Sequence, residues 1–128
     1  MKKSGILHPG VNHVLSSTGH TDYFTICDKG FPVPDGPTRI DLALVEGVPT
    51  VLDVLRAIHA EYHIDRVLIT TEMTEVSSGR VDELRAILGE IPLETLAHVE
   101  FKHLAATGKA TIRTGDTVPY ANIIVVSG

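Results

Sequence analysis

The stretch from Gly19 to Gly36 constrains the fold of this chain more than any other part of its sequence. Its β-branched and aromatic run, Tyr23 to Cys27, is long enough only for a strand, so His20 and Asp28 lie at or just beyond the two ends of that strand. The loop from Lys29 to Pro37 contains three prolines and two glycines, which stiffen the backbone and exclude a helix. A stiff loop beside a strand end can hold a polar group in one place.

His20 and Asp28 are therefore candidate functional residues. Imidazole is the side chain that titrates nearest to neutrality, and a neighbouring carboxylate can orient it, raise its pKa or bind a hydroxyl group itself. The structural alternative is a histidine that caps a helix and an aspartate that belongs to a turn.

The rest of the chain alternates predicted helices with predicted strands. Helices are predicted from Pro9 to the Ser16–Gly19 cluster, from Thr50 to about Tyr62, over Arg80–Leu88 and over His98–Ala106. Strands are predicted over Arg39–Leu44, Arg66–Thr71, Leu93–Ala97, Ala110–Thr114 and Asn122–Val126. Thr50 and Asp53 have the spacing of a capping box. This alternation predicts an α/β sheet covered by helices.

Composition narrows the class of protein. A chain of 128 residues is long enough for one domain, and its single cysteine excludes an internal disulfide. The net charge of −5 argues against a nucleic-acid or anionic-membrane partner. We expect a cytoplasmic protein, because we find neither a signal peptide nor an apolar run long enough to span a membrane. The 43% hydrophobic content is high for so short a chain and predicts self-association.

Two other candidate sites are weaker. His59 and His63 are four residues apart on a predicted helix, which is a metal-ligand spacing, but Glu61 is not at the position that follows the first histidine in zinc proteases. We interpret the pair as a solvated helix face and predict no metal. Cys27 lies in a predicted strand and is typical of a small buried hydrophobic residue rather than a nucleophile.

A second group of polar residues occurs late in the chain. His98 and Lys102 are four apart, so they project from one face of the predicted helix. Tyr120 and Asn122 are two apart, so an extended backbone would point them to the same side. Phenol, amide, imidazole, amine and carboxylate groups together suit a polyhydroxylated ligand. Because the chain has no tryptophan to stack against long sugars, a monosaccharide is favoured over a polysaccharide.

The motifs in these regions resemble the D-ribose pyranase family in order and spacing, over nearly the whole chain. They are Gly19–Asp22, Cys27–Pro34, Arg39–Leu44 with Gly47–Pro49, Ile112–Asp116 and Pro119–Ile124. The family is related to the L-fucose mutarotases, whose pattern has glycine where this chain has Thr21. Thr21 and the Cys27–Asp28 pair favour the ribose branch.

The resemblance implies one domain over residues 1–128, built on a mixed sheet with helices on both faces. It also implies rings of five subunits that stack into decamers, with sites between neighbouring subunits. The implied activity is interconversion of the pyranose and furanose forms of D-ribose, which supplies furanose to ribokinase. His20 matches the proton donor of the family, and the matching substrate-binding residues are Asp28, His98, Lys102, Tyr120, Ala121 and Asn122.

Acid–base opening of a sugar ring requires no metal, redox carrier or nucleotide, so no cofactor is expected. A positioned acid and base would each contribute about 10²–10⁴-fold. The general base is left open between His98 and a bound water. The alternatives to a ribose pyranase are an L-fucose mutarotase, a non-catalytic monosaccharide-binding protein and a structural assembly module.

Overall fold

A six-stranded mixed sheet forms the centre of the protein, for which a computed structural model describes residues 1–128. The helices are α1 (Pro9–Ser17), α2 (Val51–His59), α3 (Thr71–Val76), α4 (Ser78–Leu88) and α5 (His98–Ala105). The strands are β1 (Tyr23–Cys27), β2 (Thr38–Asp41), β3 (Ile64–Thr70), β4 (Leu93–Leu96), β5 (Ala110–Arg113) and β6 (Ile123–Ser127). None of the helices has both the length and the apolar content needed to cross a bilayer.

The strand order across the sheet is β2-β5-β1-β6-β3-β4. Strand β6 is antiparallel to both of its neighbours, β1 and β3, whereas all the other pairs are parallel. Tyr23 pairs with Val126 and Ile26 pairs with Ile123, so β6 begins where β1 ends. The segments that follow β1 and precede β6 therefore meet at one edge of the sheet.

Two apolar clusters lie on opposite faces of the sheet, which confirms the predicted α/β fold with helices on both faces. The larger contains 21 buried residues and joins α1, α2 and α4 to the sheet, and the smaller contains seven and joins α5 to it. Strand β6 alternates between them: Ile123 and Val125 face the larger cluster, and Ile124 and Val126 face the smaller one. This strand is buried on both faces, as its continuous apolar sequence predicts.

Side chains define the starts of α1 and α2. The predicted capping box at α2 is confirmed: the Thr50 hydroxyl accepts from the Asp53 N–H group, and the Asp53 carboxylate accepts from the Thr50 N–H group. At α1, Pro9 occupies the first turn and His8 Nδ1 accepts from the Val11 N–H group. The histidine that caps a helix is thus His8, which leaves His20 without that structural role.

Two predicted elements extend about three residues too far, because tertiary contacts set where they end. The helix predicted to reach Tyr62 ends at His59, since Tyr62 turns inward, packs edge-on against Phe24 and donates from its hydroxyl to Ser127. The metal-ligand spacing of His59 and His63 on one helix face is therefore lost. Similarly, β2 ends at Asp41 rather than Leu44, because its only partner strand ends at Arg113, the residue paired with Asp41.

Helix α3 was not predicted. Strand β3 ends at Thr70, and the Thr70 hydroxyl immediately caps α3 by accepting from the Met73 N–H group. Only Met73 of this six-residue helix is buried, so the sequence carries no periodic apolar stripe there. Helices α3 and α4 follow one another directly along the chain.

Candidate functional site

A polar cavity opens at the edge of the sheet where β1 ends and β6 begins. It has a volume of about 320 Å³, at the low end of the roughly 300–1,000 Å³ typical of small-ligand sites. Its lining comes from three places: the loop after β1, the first residue of α5 and the loop before β6. The lining residues are Asp28, Gly30, Phe31, Pro32, His98, Pro119, Tyr120 and Asn122.

Asp28 is fixed by its neighbours on both sides. Its N–H group donates to the Asn122 side-chain carbonyl at 2.8 Å, and its carboxylate accepts from the Gly30 N–H group at 3.0 Å. Burial raises the pKa of the Asp28 carboxyl above its usual value, although hydrogen bonds from the Gly30 and Phe31 N–H groups favour the charged form. The stiff loop after β1 thus holds a carboxylate at the cavity wall.

His98 and Tyr120 form the facing part of the lining. Their rings meet edge to face, with centroids 5.4 Å apart and planes at 86°. His98 is the first residue of α5, and its Nδ1 atom is buried without a hydrogen-bond partner in the chain. The imidazole and phenol each combine a polar atom with a flat apolar surface, which suits contact with a sugar ring and its hydroxyl groups.

Tyr120 reaches the cavity through an unusual backbone conformation. Its φ is 57°, in the left-handed region that non-glycine residues seldom occupy. Tyr120 and Asn122 line the same cavity, but the strand alternation predicted for them is wrong, because β6 begins only at Ile123. The loop before β6, and not the strand, places both side chains.

Asp116 holds this loop in place through hydrogen bonds. Its side chain accepts from the Val118 N–H group at 3.0 Å and from the Val51 N–H group at 2.9 Å, while its carbonyl accepts from the Lys29 N–H group at 3.0 Å. Arg80 donates to the same carboxylate from both of its terminal nitrogens, at 2.7 and 3.3 Å. Asp116 therefore joins the two loops that flank the cavity.

The Arg80–Asp116 ion pair is buried, with exposed fractions of 6% and 1%. Burial alone would raise the pKa of Asp116, but hydrogen bonds from Arg80, Val118 and Val51 outweigh it and hold the pKa below the ordinary 3.8. The Asp116 carboxylate is thus charged at neutral pH and satisfied on both oxygens.

The structure brings together four of the residues singled out from the sequence: Asp28, His98, Tyr120 and Asn122 line one cavity. Ala121, between two of them, is fully buried in the apolar core. Lys102 is exposed one turn after His98 on α5 and does not line the cavity.

His20 lies elsewhere. It is exposed in the turn between α1 and β1, where the neighbouring Thr21 has a φ of 68° and donates its N–H group to the Ser127 carbonyl. Asp28 follows the other end of β1, and a five-residue strand alone spans roughly 16 Å. His20 therefore lies at the opposite edge of the sheet from the cavity of its own chain.

Sequence reasoning did not single out the residues that support the cavity, namely Glu72, Ser77, Arg80 and Asp116. Asp116 belongs to one of the motifs, but nothing in the local sequence indicates that it pairs with Arg80, 36 positions away. For Cys27, the interpretation as a buried residue is confirmed: burial, with the nearby charge of Asp28, raises the pKa of its thiol to about 12. Such a thiol is protonated and unreactive near neutrality.

Comparison with known proteins finds relatives that match the full length of this chain. The model of the RbsD / FucU transport protein family matches residues 1–128. A D-ribose pyranase of Geobacillus kaustophilus is 43% identical over 128 residues, which cover 100% of this chain and 94% of that protein. The structure of Bacillus subtilis RbsD complexed with D-ribose superposes with a TM-score of 0.95 at 39% identity, covering 100% of this chain and 98% of that one.

A more distant structure shares the fold alone. The fucose mutarotase of Streptococcus pneumoniae, in complex with L-fucose, superposes with a TM-score of 0.78 at 21% identity, covering 95% of this chain and 93% of that one. The full-length family match and the strong likeness to ribose pyranases confirm the resemblance found in the sequence motifs. The chain belongs to the RbsD / FucU transport protein family.

Proposed function

We propose that this protein is a D-ribose pyranase, an isomerase that interconverts the pyranose and furanose forms of D-ribose. The observation that carries the proposal is the cavity itself, in which a carboxylate, an imidazole, a phenol and an amide converge. Relatives that are 41–43% identical over the full chain are D-ribose pyranases, which supports ribose as the substrate. A family member with nearly the same fold binds D-ribose.

In this proposal, the cavity binds the hydroxyl groups of ribose. The Asp28 carboxylate accepts hydrogen bonds from them, and the Asn122 amide and Tyr120 hydroxyl complete the set of donors and acceptors. His98 binds through its imidazole, and Ala121 contributes through its backbone. Lys102 lies further from the ligand and acts through its positive charge.

The reaction is acid–base chemistry on the sugar alone. An acid protonates the ring oxygen as its bond to the anomeric carbon breaks, and a base removes the proton of the anomeric hydroxyl, which leaves an open-chain aldehyde. A different hydroxyl oxygen then attacks the aldehyde carbon, losing its proton as the carbonyl oxygen gains one. We assign the acid to His20, because histidine is the side chain that most often serves as a general acid or base.

This assignment requires two chains. Because His20 and Asp28 lie beyond opposite ends of β1, the proposed site combines the cavity of one chain with His20 from a neighbouring copy. We propose that the subunits form rings of five and that two rings stack into a decamer. One site then lies at each contact between the cavity of one chain and His20 of its neighbour. We place this assembly in the cytoplasm. The exposed apolar residues Leu44, Val45 and Val48, on one loop, agree with contact between copies.

Ring exchange measured by NMR tests the proposed function. Proton spectra of D-ribose resolve its pyranose and furanose anomers, and magnetisation transfer between them gives the exchange rates. With the protein present, we expect pyranose–furanose exchange to accelerate in proportion to protein concentration. L-Fucose is the comparison sugar: exchange between its anomers, with none in ribose, would assign a mutarotase. Ribose binding without accelerated exchange would assign a sugar-binding protein.

Replacing Asp28 with asparagine is expected to weaken ribose binding by about tenfold, because a charge-assisted hydrogen bond is lost. Since the pKa of Asp28 is raised, the affinity of the native protein should begin to fall on acidification at a pH above 3.8, and the variant should not show this fall. Titration calorimetry at several pH values measures both effects. The matched control is Asp35→Asn, an exposed aspartate of the same stiff loop, and equal affinities for the two variants would contradict the role of Asp28.

A further inference from the structure

The consecutive helices α3 and α4 lie outside the cavity, yet three of their side chains bind residues that line or support it. The Glu72 carboxylate accepts from the His98 N–H group, with both oxygens at 3.2 Å. The Ser77 hydroxyl donates to the Pro119 carbonyl at 2.7 Å. Arg80 pairs with Asp116. The two parts of the cavity lining that contain His98 and Tyr120 are therefore both bonded to one helical segment, α3 with α4.

Glu72 replaces a missing local cap. Helix α5 begins at His98, and the residue before it, Ala97, has no side-chain group to bind the free N–H groups of the first turn. The carboxylate of Glu72, from another helix, fills that role, and its negative charge is favourable at a helix N-terminus. Glu72 thus fixes the backbone of His98, whose ring lines the cavity.

The Ser77 hydroxyl binds the loop before β6 and not its own helix. Ser77 occupies the N-cap position of α4, where a serine hydroxyl normally binds an N–H group of its own helix, but it makes no such bond. Its hydroxyl instead donates to the carbonyl of Pro119, in the peptide group that leads into Tyr120. Tyr120 has the left-handed φ of 57°, which persists only where the surrounding structure holds it.

We propose that Glu72 and Ser77 are positioning residues, which set the separation and angle of the His98 and Tyr120 rings and thereby the shape of the ligand cavity. Neither touches the ligand. Arg80 anchors the same segment through its ion pair with Asp116. The assignment of the ligand as ribose rests on the proposed function, whereas the positioning of the two rings does not.

Two alanine variants test this inference, each with a neighbouring control. Ser77→Ala is compared with Ser78→Ala, and Glu72→Ala with Glu75→Ala, since both control side chains are exposed on the same helices and make none of these bonds. We expect Ser77→Ala and Glu72→Ala each to raise the KM for ribose by about threefold to tenfold, with kcat within about twofold. Partial unfolding would instead lower kcat and leave KM unchanged. Glu72→Gln retains an acceptor oxygen and should recover most of the lost affinity.

A spectroscopic measurement tests the same inference without ribose. The chain has three tyrosines, so 3-fluorotyrosine labelling gives three ¹⁹F resonances, and Tyr120→Phe identifies the one from Tyr120. We expect this resonance to shift or broaden in Ser77→Ala and Glu72→Ala but to keep its position in the two controls. An unchanged resonance in both test variants would overturn the positioning role, as would an unchanged KM.

The two proposals fail separately. If the native protein does not accelerate ribose exchange while the Tyr120 resonance responds as expected, the proposed function is wrong and the positioning of the rings stands. If exchange is accelerated and the resonance does not respond, the proposed function stands and Glu72 and Ser77 are not positioning residues.

Discussion

Replacing His20 with alanine is expected to lower the rate of pyranose–furanose exchange by about 10²–10⁴-fold, the usual contribution of a positioned general acid. Ribose affinity should change little, because the proposed hydroxyl-binding groups are elsewhere, in the cavity lined by Asp28, His98, Tyr120 and Asn122. NMR exchange rates and calorimetric affinities, measured on the same samples, separate the two effects.

His13→Ala is the matched control, since His13 is an exposed histidine on the helix that precedes His20. It should leave the exchange rate unchanged. If His20→Ala isomerises ribose as fast as His13→Ala does, the acid lies elsewhere.

Mixed assemblies test whether the site is shared between chains. When His20→Ala and Asp28→Asn chains are refolded together, about one site in four should combine an intact His20 with an intact Asp28 from its neighbour. At low ribose concentration, the mixture should then recover about a quarter of the native activity, above the mean of its two components. An activity equal to that mean would place the complete site within a single chain.

The largest expected effect on stability comes from Arg80→Ala. The substitution leaves the Asp116 carboxylate buried without its counter-ion, which typically costs about 3–5 kcal/mol. Urea unfolding at fixed protein concentration measures the loss. Arg85→Ala, an exposed arginine in the last turn of the same helix, should cost at most about 1 kcal/mol. Equal midpoints for the two variants would show that the buried pair contributes little.

Acid weakens the same interaction. Because the pKa of Asp116 is lower in the folded state than its ordinary 3.8, this carboxylate contributes stability above pH 3.8 that is lost as the pH falls through the folded value. The difference in unfolding free energy between the native protein and Asp116→Asn should therefore shrink below pH 3.8. A constant difference would contradict the lowered pKa.

The sequence predicts much of the fold because local signals agree with tertiary structure in most of the chain. The run Tyr23–Cys27 is a strand with those bounds, and the capping box of Thr50 and Asp53 starts α2 as expected. The antiparallel insertion of β6 between β1 and β3 has no such local signal, since it depends on which strands pair across the sheet. Helix α3 was missed for a related reason: its stability comes from the Thr70 cap and the burial of Met73.

The candidate site was predicted as a set of residues but not as an arrangement. Asp28, His98, Tyr120 and Asn122 were identified through their chemistry and the family motifs, and they line one cavity. His20 is far from that cavity because the length of β1 separates His20 from Asp28. The sequence alone already places these two residues beyond opposite ends of β1. The bonds from Glu72 and Ser77 join residues 26 and 42 positions apart, and no periodic pattern reports such pairs.

The backbone conformation of Tyr120 has a local cost in stability. A left-handed conformation costs a non-glycine residue about 1–2 kcal/mol, a cost that glycine would not have. Glycine at this position would remove the phenol from the cavity. The loop therefore keeps a strained residue at the point where its side chain lines the cavity.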